Sequence, residues 1–460
     1  MTLIKSISGI RGTIGGRAGD ALTPLDVVKF TAAYGQIVLS KSTSKKIVVG
    51  RDARLSGPMI RDLVVGTLQS IGAEVVDLGL STTPTVEIAV PLESAAGGII
   101  LTASHNPGQW NALKLLNDQG EFISDEEGKK VLSLAEDLDF DFATVENMGQ
   151  VIHNDEYLQT HIQEVLNLEY VDAEAIKKAN FKVAVDAVNS SGGIYIPELL
   201  KALGVEVIYK VNCEPTGHFA HNPEPLKENL TDLSKTVLEN KADLGIAVDP
   251  DVDRLVFMME NGDLFGEEYT LVAVADYILS REKGNTVSNL SSTRALRDVT
   301  EKHGGTYYAA AVGEVNVVTK MKEVNAVIGG EGNGGIIYPK SHYGRDALVG
   351  VALFLTHLAK LNKTISEYRA ELPNYFMSKN KIELTPGLDI DGLLSKMQER
   401  YKNEDHSTVD GLKIDFPEQW VHLRKSNTEP IIRIYSEGKS LEEAEGIAQK
   451  IIDEIKNIIG

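Results

Sequence analysis

Short apolar segments alternate with amphipathic stretches along most of the chain. Residues 46–50 (KIVVG) form a β-branched run, residues 58–71 have a helical period, and residues 72–79 (GAEVVDLG) contain a second apolar run. The same order recurs about 130 residues later, from Phe181, and more weakly about 100 residues after that, from Asn285. Short apolar strands that alternate with helices are typical of βαβ units on mostly parallel sheets. The pattern predicts three copies of one α/β module over roughly residues 1 to 370.

The C-terminal part of the chain has a different pattern. A strand and a helix are predicted over residues 385–401, and a second strand over residues 409–416. A strand–loop–strand segment follows (WVHLRKSNTEPIIRIYSE, 420–437), and an amphipathic helix runs from Ser440 to the end. This order is typical of a small α+β domain with an antiparallel sheet. The predicted fold class is therefore α/β, with three similar mixed or parallel-sheet domains and a C-terminal α+β domain.

The chain is strongly acidic, which excludes several classes of partner. Its 460 residues contain 46 Lys and Arg against 66 Asp and Glu, so the formal net charge is −20. Nucleic acids and anionic membranes both attract a basic surface, so neither is expected as a partner. A small anionic substrate is compatible with this charge, provided that a few cations converge on one cleft.

Cysteine usage and targeting signals indicate the compartment. The single cysteine, Cys213, cannot form an intrachain disulfide or a thiolate metal site, and a reducing compartment is the simplest explanation. The N-terminal residues MTLIKSISGIRG lack the apolar region of a signal peptide. The longest apolar run, residues 347–355, has 9 residues against the roughly 20 needed to span a bilayer. A cytoplasmic location is therefore expected.

The segment GGIILTASHNP (97–107) carries the first candidate chemistry. An apolar run that predicts a buried strand ends abruptly in small polar residues and a proline. Ser104 and His105 are thereby expected on a loop at the carboxyl end of a parallel strand, where open α/β sheets bind ligands. A hydroxyl there can act as a nucleophile or carry a transferred group, although serine is also a common turn or cap residue. The residues alone leave both roles open.

The segment DPDVDR (249–254) predicts a metal site. Asp249, Asp251 and Asp253 are spaced so that, on an extended segment, they would point to one side and repel one another unless a cation neutralises them. All-oxygen ligands of this kind suit Mg²⁺ or Ca²⁺ rather than zinc. An EF-hand loop is excluded because its sixth position, which needs glycine, is Arg254. A solvated acidic turn is the alternative.

A third loop, GGEGNGG (329–335), follows an apolar run that predicts a strand. Glycines allow close approach of the backbone to a ligand, and Glu331 is the only charged residue in the loop. Its carboxylate could accept hydrogen bonds from sugar hydroxyls. The pattern is neither GxGxxG nor a P-loop, so no nucleotide site is predicted, and a plain turn explains the loop equally well.

A fourth loop, RKSNTEP (424–430), lies between two predicted strands. It offers a guanidinium, two hydroxyls and an amide within five residues, from Arg424, Ser426, Asn427 and Thr428, and Arg433 follows on the next strand. Such a density of donors can hold a dianionic phosphate without a helix N-terminus. A polar hairpin loop is the alternative.

Taken together, these loops resemble those of the α-D-phosphohexomutase superfamily. SISGIRG near the N-terminus, TASHNP, DPDVDR, the loop with Glu331 and RKSNTEP occur in the order and at the spacing of that family, over essentially the whole chain. The resemblance implies four domains around a central cleft, whereas length alone suggests about three. The expected domains are residues 1–155 with the phosphoserine loop, 156–258 with the metal loop, 259–370 with the sugar loop and 371–460 with the phosphate loop.

The resemblance also implies roles for individual residues. Ser104 matches the family's phosphoserine, and its phosphate would complete a site for one Mg²⁺ per chain, whose other ligands are Asp249, Asp251 and Asp253. The residues expected beside the transferring phosphate are Arg11, His105, Lys114 and Arg254. Those expected to bind the rest of the substrate are Glu314, Glu331, Asn333, Arg424, Ser426, Asn427, Thr428 and Arg433.

The reaction implied by the resemblance exchanges the 6-phosphate and 1-phosphate of a hexose. The phosphoserine gives its phosphate to a free sugar hydroxyl, the resulting hexose 1,6-bisphosphate turns over in the cleft, and its other phosphate returns to Ser104. Small sugar phosphates are the expected partners of a monomer or homodimer. A metal-dependent phosphatase and a non-catalytic sugar-phosphate sensor are the hypotheses from other classes.

Three departures from the family pattern affect these roles. The loop with Glu331 lacks the serine and histidine of Gly-Glu-x-Ser-Gly-His, Glu314 replaces the histidine of Val-Gly-His, and NALK replaces NG-x-K. Because two family histidines are absent, Lys114 is the candidate general base, on the expectation that a cationic site lowers its pKa.

The expected substrate is glucosamine 6-phosphate. The N-terminal segment and the form GEGNGG are most similar to phosphoglucosamine mutases of a subgroup related to archaeal enzymes. A carboxylate at Glu314 could pair with the substrate's ammonium group. Glucose and mannose phosphates are the alternatives.

Overall fold

The computed structural model describes residues 2–6, 9–383, 389–425 and 431–459. These residues form four separate β-sheets with 15 helices, in the order predicted from the sequence. Three mixed α/β domains are followed by a smaller domain with an antiparallel sheet, so the predicted fold class is confirmed.

The first domain is built on a seven-stranded mixed sheet. Its elements are β1 (Ile4–Ser6), β2 (Gly9–Thr13), α1 (Pro24–Lys41), β3 (Lys46–Arg51), α2 (Gly57–Ser70), β4 (Glu74–Leu80), α3 (Thr83–Leu92), β5 (Gly97–Leu101), β6 (Trp110–Leu116), α4 (Asp125–Asp137) and β7 (Val151–His153). The strand order is β1-β2-β6-β5-β3-β4-β7. Strand β5 is buried along its whole length, as expected for a central strand covered on both faces.

The second domain has a four-stranded sheet. It contains α5 (Tyr157–Leu166), α6 (Ala173–Ala179), β8 (Lys182–Asp186), α7 (Gly192–Ala202), β9 (Val207–Val211), α8 (Thr231–Asn240), β10 (Leu244–Val248) and β11 (Leu255–Met259). The order is β11-β10-β8-β9, and β11 is antiparallel to its neighbour.

The third domain repeats this four-stranded arrangement. It contains α9 (Glu267–Arg281), β12 (Asn285–Asn289), α10 (Ala295–Lys302), β13 (Tyr307–Ala310), α11 (Glu314–Glu323), β14 (Ala326–Glu331), β15 (Gly335–Ile337), α12 (Ala347–Leu361) and α13 (Ile365–Glu371). The order is β13-β12-β14-β15, and again the last strand is antiparallel.

The fourth domain is a five-stranded antiparallel sheet with two helices. Its elements are β16 (Phe376–Glu383), α14 (Ile390–Arg400), β17 (Asp405–Ser407), β18 (Leu412–Asp415), β19 (Trp420–Lys425), β20 (Ile431–Gly438) and α15 (Leu441–Ile459), in the order β16-β20-β19-β18-β17. The strand predicted to start at residue 385 is observed earlier, as β16, and residues 384–388 lie outside the described residues. The short edge strand β17 was not predicted.

All four functional loops join two neighbouring antiparallel strands. The loop with Ser104 connects β5 to β6, the aspartate loop connects β10 to β11, and the loop after Glu331 connects β14 to β15. The fourth loop lies between β19 and β20, which also pair antiparallel. The first three loops thus occupy the same place in their domains, although a sequence of alternating strands and helices predicts only that they follow a strand, whereas the fourth loop was predicted to lie between two strands.

The hydrophobic cores show how the domains are coupled. One core runs without interruption through the second and third domains, from Ile162 to Tyr375. The fourth domain has a separate core, from Leu393 to Ile455. The first domain has two cores, one of which also contains Tyr157 of α5 and contacts Val315 of α11. The central pair of domains is therefore one packed unit, whereas the fourth domain is joined to it mainly by polar contacts.

The lengths and apolar content of the helices in the described residues bear on whether the chain could span a membrane. None of their helices is by itself long and apolar enough to cross a bilayer. Helices α12 and α13 reach that length only together, and they are bent by 90° at their junction. Most of α12 is buried in the core that the second and third domains share.

Candidate active site

Ser104 lies at the tip of the β5–β6 loop with its hydroxyl directed at the second domain. Its Oγ donates a 2.7 Å hydrogen bond to Asp249 Oδ2, and the side chain is 8% exposed. Its backbone has φ 47°, in the left-handed region that L-residues rarely adopt, and its N–H donates to Thr102 Oγ1 at 3.0 Å. Strained backbone of this kind concentrates at functional sites. The geometry supports a chemical role for Ser104 over that of an ordinary turn serine.

A buried arginine outside the predicted set holds this loop. Arg54 donates to the carbonyl oxygens of Ser104 and Asn106, the latter at 2.7 Å, and to those of Pro107 at 2.7 Å and Trp110 at 3.0 Å. Its Nε donates to Asp52 Oδ2 at 3.0 Å, and both side chains are 0% exposed. Five donors in a rigid fork can fix several carbonyl groups at once. Arg54 therefore positions the loop without being placed to touch a substrate.

The three aspartates predicted to bind metal converge in the β10–β11 loop. Each is 0% exposed, and one carboxylate oxygen from each lies within 4.8 Å of the others. The segment is a turn, with Val252 at φ 63°, and not the extended strand that the spacing suggested. The carboxylates converge because the turn wraps around Asp249 Oδ1, which accepts the backbone N–H groups of Asp253 and Arg254 at 3.2 Å and 3.1 Å.

The electrostatics of this triad are those of a cation site. Burial, and then the neighbouring aspartates, raise the pKa of Asp249. Asp251 Oδ1 and Asp253 Oδ1 are buried and have no hydrogen-bond partner among the described residues. Buried carboxylate oxygens without partners are costly unless they are paired or bind a metal. The three side chains therefore fit a hard divalent cation.

Lys114, on β6, neutralises part of the triad. Its Nζ donates to Asp251 Oδ2 at 2.6 Å and to Asp253 Oδ2 at 3.0 Å. Burial lowers the pKa of Lys114, but the two aspartates outweigh burial and leave its pKa above the ordinary value. The lowered pKa expected from the sequence is therefore wrong for this arrangement, because the nearest charges are carboxylates. Lys114 is an ammonium group, and a role as general base has no support in these contacts.

Thr83 is a further contact of the triad that the sequence did not suggest. It starts α3, and its Oγ1 donates to Asp251 Oδ2 at 2.5 Å, while its N–H donates to the Asp251 carbonyl at 2.9 Å. A threonine in a TTPT segment gives no sequence signal beyond helix capping. The contact fastens the first domain directly to the metal loop of the second.

Arg345 connects the metal loop to the sugar loop. Its Nη2 donates to Asp253 Oδ2 at 2.8 Å, its Nε to Glu314 Oε2 at 3.0 Å, and its Nη1 lies 3.2 Å from Glu331 Oε2. The backbone N–H of Arg345 also donates to Glu314 Oε1 at 2.9 Å. Glu314 and Glu331, both predicted to bind substrate, thus lie around one buried guanidinium. Burial raises the pKa of Glu314, although Arg345 opposes this.

Two histidines and one aspartate form a cluster at the residue that follows Arg345 in the chain. Asp346 caps the first turn of α12, and its Oδ2 lies 2.8 Å from His161 Nε2 and 3.1 Å from His342 Nε2. His161 Nδ1 is 2.8 Å from Thr85 Oγ1 on α3. Side chains from all three α/β domains therefore meet next to Arg345 and restrict its position.

The tight hairpin of the loop with Glu331 leaves no room for a side chain at Gly330. A Cβ at Gly330, where φ is 152°, would lie 2.0 Å from the Gly335 carbonyl oxygen. Glu331 Oε1 accepts from Asn289 Nδ2 at 2.9 Å and from the Gly313 N–H at 3.1 Å. Asn333 Oδ1 accepts the Gly335 N–H at 3.2 Å. The glycines are thus explained by a tight turn, and the chemistry of this loop depends on Glu331.

His105, Arg254 and Arg11 lie on the cationic side of Ser104. His105 Nδ1 is 3.5 Å from Ser104 Oγ, and burial, followed by the charge of Arg254, lowers the pKa of His105 to about 2. Burial and the charge of Arg254 also lower the pKa of Arg11. Arg254 Nε lies 3.9 Å from Asp249 Oδ2. A neutral imidazole and two guanidiniums therefore lie near the hydroxyl predicted to carry phosphate.

The phosphate loop of the fourth domain is only partly described. Ser426, Asn427 and Thr428 lie outside the described residues. Arg424 and Arg433 are cross-strand partners on β19 and β20, so their side chains leave the same face of the sheet. Arg424 Nε forms an ion pair with Asp410 at 2.8 Å, and Asp410 also accepts the Val312 N–H from the third domain at 2.9 Å.

His422 links the fourth domain to the third and predicts a pH dependence. Its Nε2 lies 2.7 Å from the Asp410 carbonyl, which can only accept, so Nε2 carries the proton and Nδ1 accepts from the Ser291 hydroxyl at 2.9 Å. Burial, with a smaller contribution from the charge of Lys413, lowers the pKa of His422 to about 4. The unfolded chain thus binds a proton below about pH 6.5 that the folded chain does not, and stability falls as the pH falls towards 4.

We therefore expect acidification to destabilise the wild type more than the variant His422→Gln. Between pH 7 and pH 5 the extra loss of unfolding free energy is at most about 2 kcal/mol. Urea unfolding of both proteins at the two pH values measures it. A difference between the two proteins that does not change with pH would contradict this account of His422.

The sequence predicts two separate places for a phosphate group, one beside Ser104 and one beside Arg424, and cationic side chains lie at both. Two such places are needed by an enzyme that moves phosphate between two positions of a sugar. The architecture and the site together define a phosphohexomutase. Sequence profiles of the phosphoglucomutase/phosphomannomutase family match all four domains: alpha/beta/alpha domains I, II and III over residues 3–142, 155–262 and 266–376, and the C-terminal domain over residues 383–454. The chain belongs to this family.

Individual relatives agree with this assignment. A phosphoglucomutase/phosphomannomutase of Thermococcus kodakarensis is 37% identical over 440 residues, which cover 94% of this chain and 95% of the relative. A phosphoglucosamine/phosphogalactosamine mutase of Sulfurisphaera tokodaii is 35% identical and covers 98% of each chain. The crystal structure of a phosphoglucomutase/phosphomannomutase family protein from Burkholderia thailandensis superposes with a TM-score of 0.84 at 25% identity, over 98% of each chain. The protein is therefore an isomerase that transfers phosphate within a hexose phosphate.

Proposed function

We propose that the enzyme interconverts glucosamine 6-phosphate and glucosamine 1-phosphate through a phosphoserine at Ser104. The 2.7 Å hydrogen bond from Ser104 Oγ to Asp249 carries this proposal, because it joins a loop hydroxyl of the first domain to the buried carboxylates of the second. Intact mass spectrometry tests the phosphoserine. After incubation with glucose 1,6-bisphosphate, the wild type should gain the mass of one phosphate group, and an unchanged mass would contradict the proposal.

The metal proposed for the triad is one Mg²⁺ per chain. Asp249, Asp251 and Asp253 would hold it together with a phosphate oxygen on Ser104, and the unpartnered oxygens of the triad support this assignment. When bound, the ion supplies charge neutralisation at the transferring phosphoryl group.

The remaining groups near Ser104 are suited to binding and charge stabilisation. In the first half-reaction the bond between phosphorus and Ser104 Oγ breaks, a bond from phosphorus to the sugar hydroxyl oxygen forms, and the proton of that hydroxyl ends on Ser104 Oγ. The second half-reaction reverses these changes at the other phosphate of the bisphosphate, so that its bond to the sugar breaks, the bond to Ser104 Oγ forms again and the proton returns to the sugar oxygen. Lys114 and Arg254 are held by carboxylates next to the place where the phosphoryl oxygens would lie. Fixed cations in a buried site stabilise the charge of phosphoryl transfer without reorganising. A hexose 1,6-bisphosphate serves as both activator and intermediate.

The second phosphate is assigned to the fourth domain. Arg424 and Arg433 face each other across β19 and β20, where like charges directly opposite are unfavourable. The carboxylate of Asp410 pairs with Arg424 at 2.8 Å, so a phosphate bound between the two arginines would compete with Asp410 for Arg424. Ser426, Asn427 and Thr428 are proposed to complete this clamp. Binding energy from the distal phosphate can then position the reacting one.

The choice of an amino sugar rests on the charge around Arg345. Three carboxylates, of Asp253, Glu314 and Glu331, converge on this single guanidinium. Three carboxylates around one guanidinium leave an excess of negative charge, and a substrate ammonium group next to Glu314 would neutralise part of it. The name of the Sulfurisphaera tokodaii relative, a mutase of amino sugars, supports the same choice.

Replacing Glu314 by glutamine tests this choice of substrate. We expect kcat/KM for glucosamine 6-phosphate to fall roughly tenfold more than kcat/KM for glucose 6-phosphate, because a charge-assisted hydrogen bond contributes about 1.5–3 kcal/mol. Glu323→Gln, an exposed position on the same helix, is the matched control. Equal losses for both sugars would show that Glu314 acts only through Arg345.

A hexose substrate is the second candidate. Both carboxylate oxygens of Glu314 already accept hydrogen bonds from Arg345, which lessens its capacity for an ammonium group. The relative from Thermococcus kodakarensis carries the name of a glucose and mannose phosphate mutase. The ratio of kcat/KM values for glucosamine, glucose and mannose 6-phosphates in the wild type separates these candidates.

A further inference from the structure

A cavity of about 280 Å³ lies between the third and fourth domains, apart from the residues assigned to phosphate transfer. Its walls come from α10 and β13 on one side and from β17 and β18 on the other. None of the predicted catalytic, metal or substrate residues lines it. It is smaller than a typical drug-sized pocket, so its occupant would be a small molecule.

The cavity contains a buried ammonium group that lacks a close partner. Lys413, on β18, is 6% exposed, and none of the described residues forms a hydrogen bond with its Nζ. The nearest carboxylate oxygen, Asp415 Oδ1, is 3.9 Å away, and the remaining contact is with the ring of Trp420 at 4.6 Å. A buried ammonium without hydrogen bonds is costly, so this position is short of an acceptor.

Two arginines add positive charge to the same cavity. Arg294 is held in place by the carbonyl oxygens of Phe416, Pro417 and Gln419, at 3.1, 3.0 and 2.9 Å, and its Nη2 also donates to Asp415 Oδ1 at 3.4 Å. Arg297 has its nearest described acid, Asp298, at 3.8 Å on its own helix. Burial leaves the pKa of Lys413 below its ordinary value, although Asp415 and Glu437 oppose burial, and the two arginines add smaller contributions in the same direction as burial. The lining thus holds three cations, Arg294, Arg297 and Lys413, against the two carboxylates of Asp405 and Asp415, and an oxyanion would balance the remaining positive charge.

The remaining lining restricts the kind of anion. Asp405 and Asp415 also face the cavity, which disfavours a polyanion, while the hydroxyls of Tyr307 and Ser407 offer neutral hydrogen bonds. We propose that this cavity binds a small anion with a single phosphate group, either inorganic phosphate or a small phosphate ester, at a site distinct from the catalytic cleft. The proposal does not depend on which sugar the enzyme converts.

Binding there would act on the position of the fourth domain. The walls belong to two domains with separate cores, so an anion that contacts both would hold them together. Lys413 pairs in register with His422 on β19, and β19 ends at Lys425, immediately before the phosphate loop. An anion bound in the cavity would therefore change the position of the phosphate loop relative to the cleft.

Titration calorimetry with inorganic phosphate tests the proposal. The cleft is expected to bind phosphate both beside Ser104 and beside Arg424, so Arg424→Ala is combined with Arg254→Ala to weaken both places, and we expect this double variant to retain one phosphate site. Adding Lys413→Met, which keeps the side-chain length over Trp420, should weaken the retained binding at least about tenfold. Adding Arg297→Gln, at a half-buried surface position that folding tolerates, should weaken it similarly. Lys396→Met, at an exposed position of the fourth domain, is the matched control and should leave it unchanged.

Two results would overturn the proposal. One is the loss of all phosphate binding in the double variant Arg424→Ala with Arg254→Ala, and the other is unchanged binding after Lys413→Met and Arg297→Gln are added to it. Repeating the titration with glycerol 3-phosphate separates the sources of the anion. Tighter binding of the ester than of inorganic phosphate identifies a phosphorylated metabolite, and equal or weaker binding identifies inorganic phosphate. Mutase activity of the wild type is measured separately, so a failure of the proposed function is distinguishable from a failure of this site.

Discussion

The variant Ser104→Ala is expected to lose at least about 10⁴-fold in kcat while keeping the fold of the wild type. Removing the group that carries a covalent intermediate eliminates the reaction path, and losses of this size or larger are typical. The side chain contributes a hydrogen bond to Asp249 but little apolar burial, so the free energy of unfolding should fall by only about 1 kcal/mol. Mutase assays and urea unfolding measure the two effects.

Ser280→Ala, on α9, is the matched control for Ser104→Ala. Ser280 Oγ donates to the Tyr277 carbonyl, so this change also removes one serine hydrogen bond. Ser280 is not one of the residues assigned to the active site. It should leave kcat unchanged. If Ser104→Ala retained turnover within about tenfold of the wild type, the phosphoserine mechanism would have to be abandoned.

The second large effect is expected for Arg54→Ala. Four carbonyl groups of the phosphoserine loop would lose their donor, and Asp52 would be left as a buried carboxylate without its cation. Breaking a buried ion pair by removing one partner costs about 3–5 kcal/mol. A displacement of the reacting group by about 1 Å can cost roughly 100-fold in rate. We therefore expect losses of both stability and kcat/KM.

A double variant separates the two contributions of Arg54. Arg54→Met combined with Asp52→Asn removes the unpaired charge, so part of the unfolding free energy should return. The donors to the loop carbonyls remain absent, so kcat/KM should stay low. Recovery of activity together with stability would show that Arg54 acts through global stability and does not position the loop.

The local pattern of apolar and polar residues was enough to predict the strands and the polar loops that follow them. The apolar run of β5 followed by TASHNP, and that of β10 followed by DPDVDR, mark strands that end at polar loops, and both loops lie where parallel strands end. Their convergence at one cleft could be expected from the resemblance of all motifs to one family. Antiparallel pairing of the strands on either side of the first three loops could not be expected, because it depends on the order of strands in the sheet, whereas an antiparallel sheet was predicted for the fourth domain.

The parts that sequence reasoning missed depend on partners distant in the chain. Lys114 was expected to have a lowered pKa, but its partner Asp251 is 137 residues away and reverses the shift. Arg54 resembles a surface arginine in the sequence, and only the fold brings the carbonyls of the phosphoserine loop to it. Glu314 and Arg345 are likewise paired across the third domain by tertiary structure.

The central claim is that phosphate is exchanged within an amino sugar and is not released. It is tested most directly by following glucosamine 6-phosphate by ³¹P NMR with the wild-type enzyme, Mg²⁺ and a catalytic amount of glucose 1,6-bisphosphate, in parallel with glucose and mannose 6-phosphates. The account predicts that glucosamine 1-phosphate forms with the highest kcat/KM of the three products, while the total of sugar phosphates stays constant. Faster conversion of glucose or mannose 6-phosphate, or steady accumulation of inorganic phosphate, would contradict it.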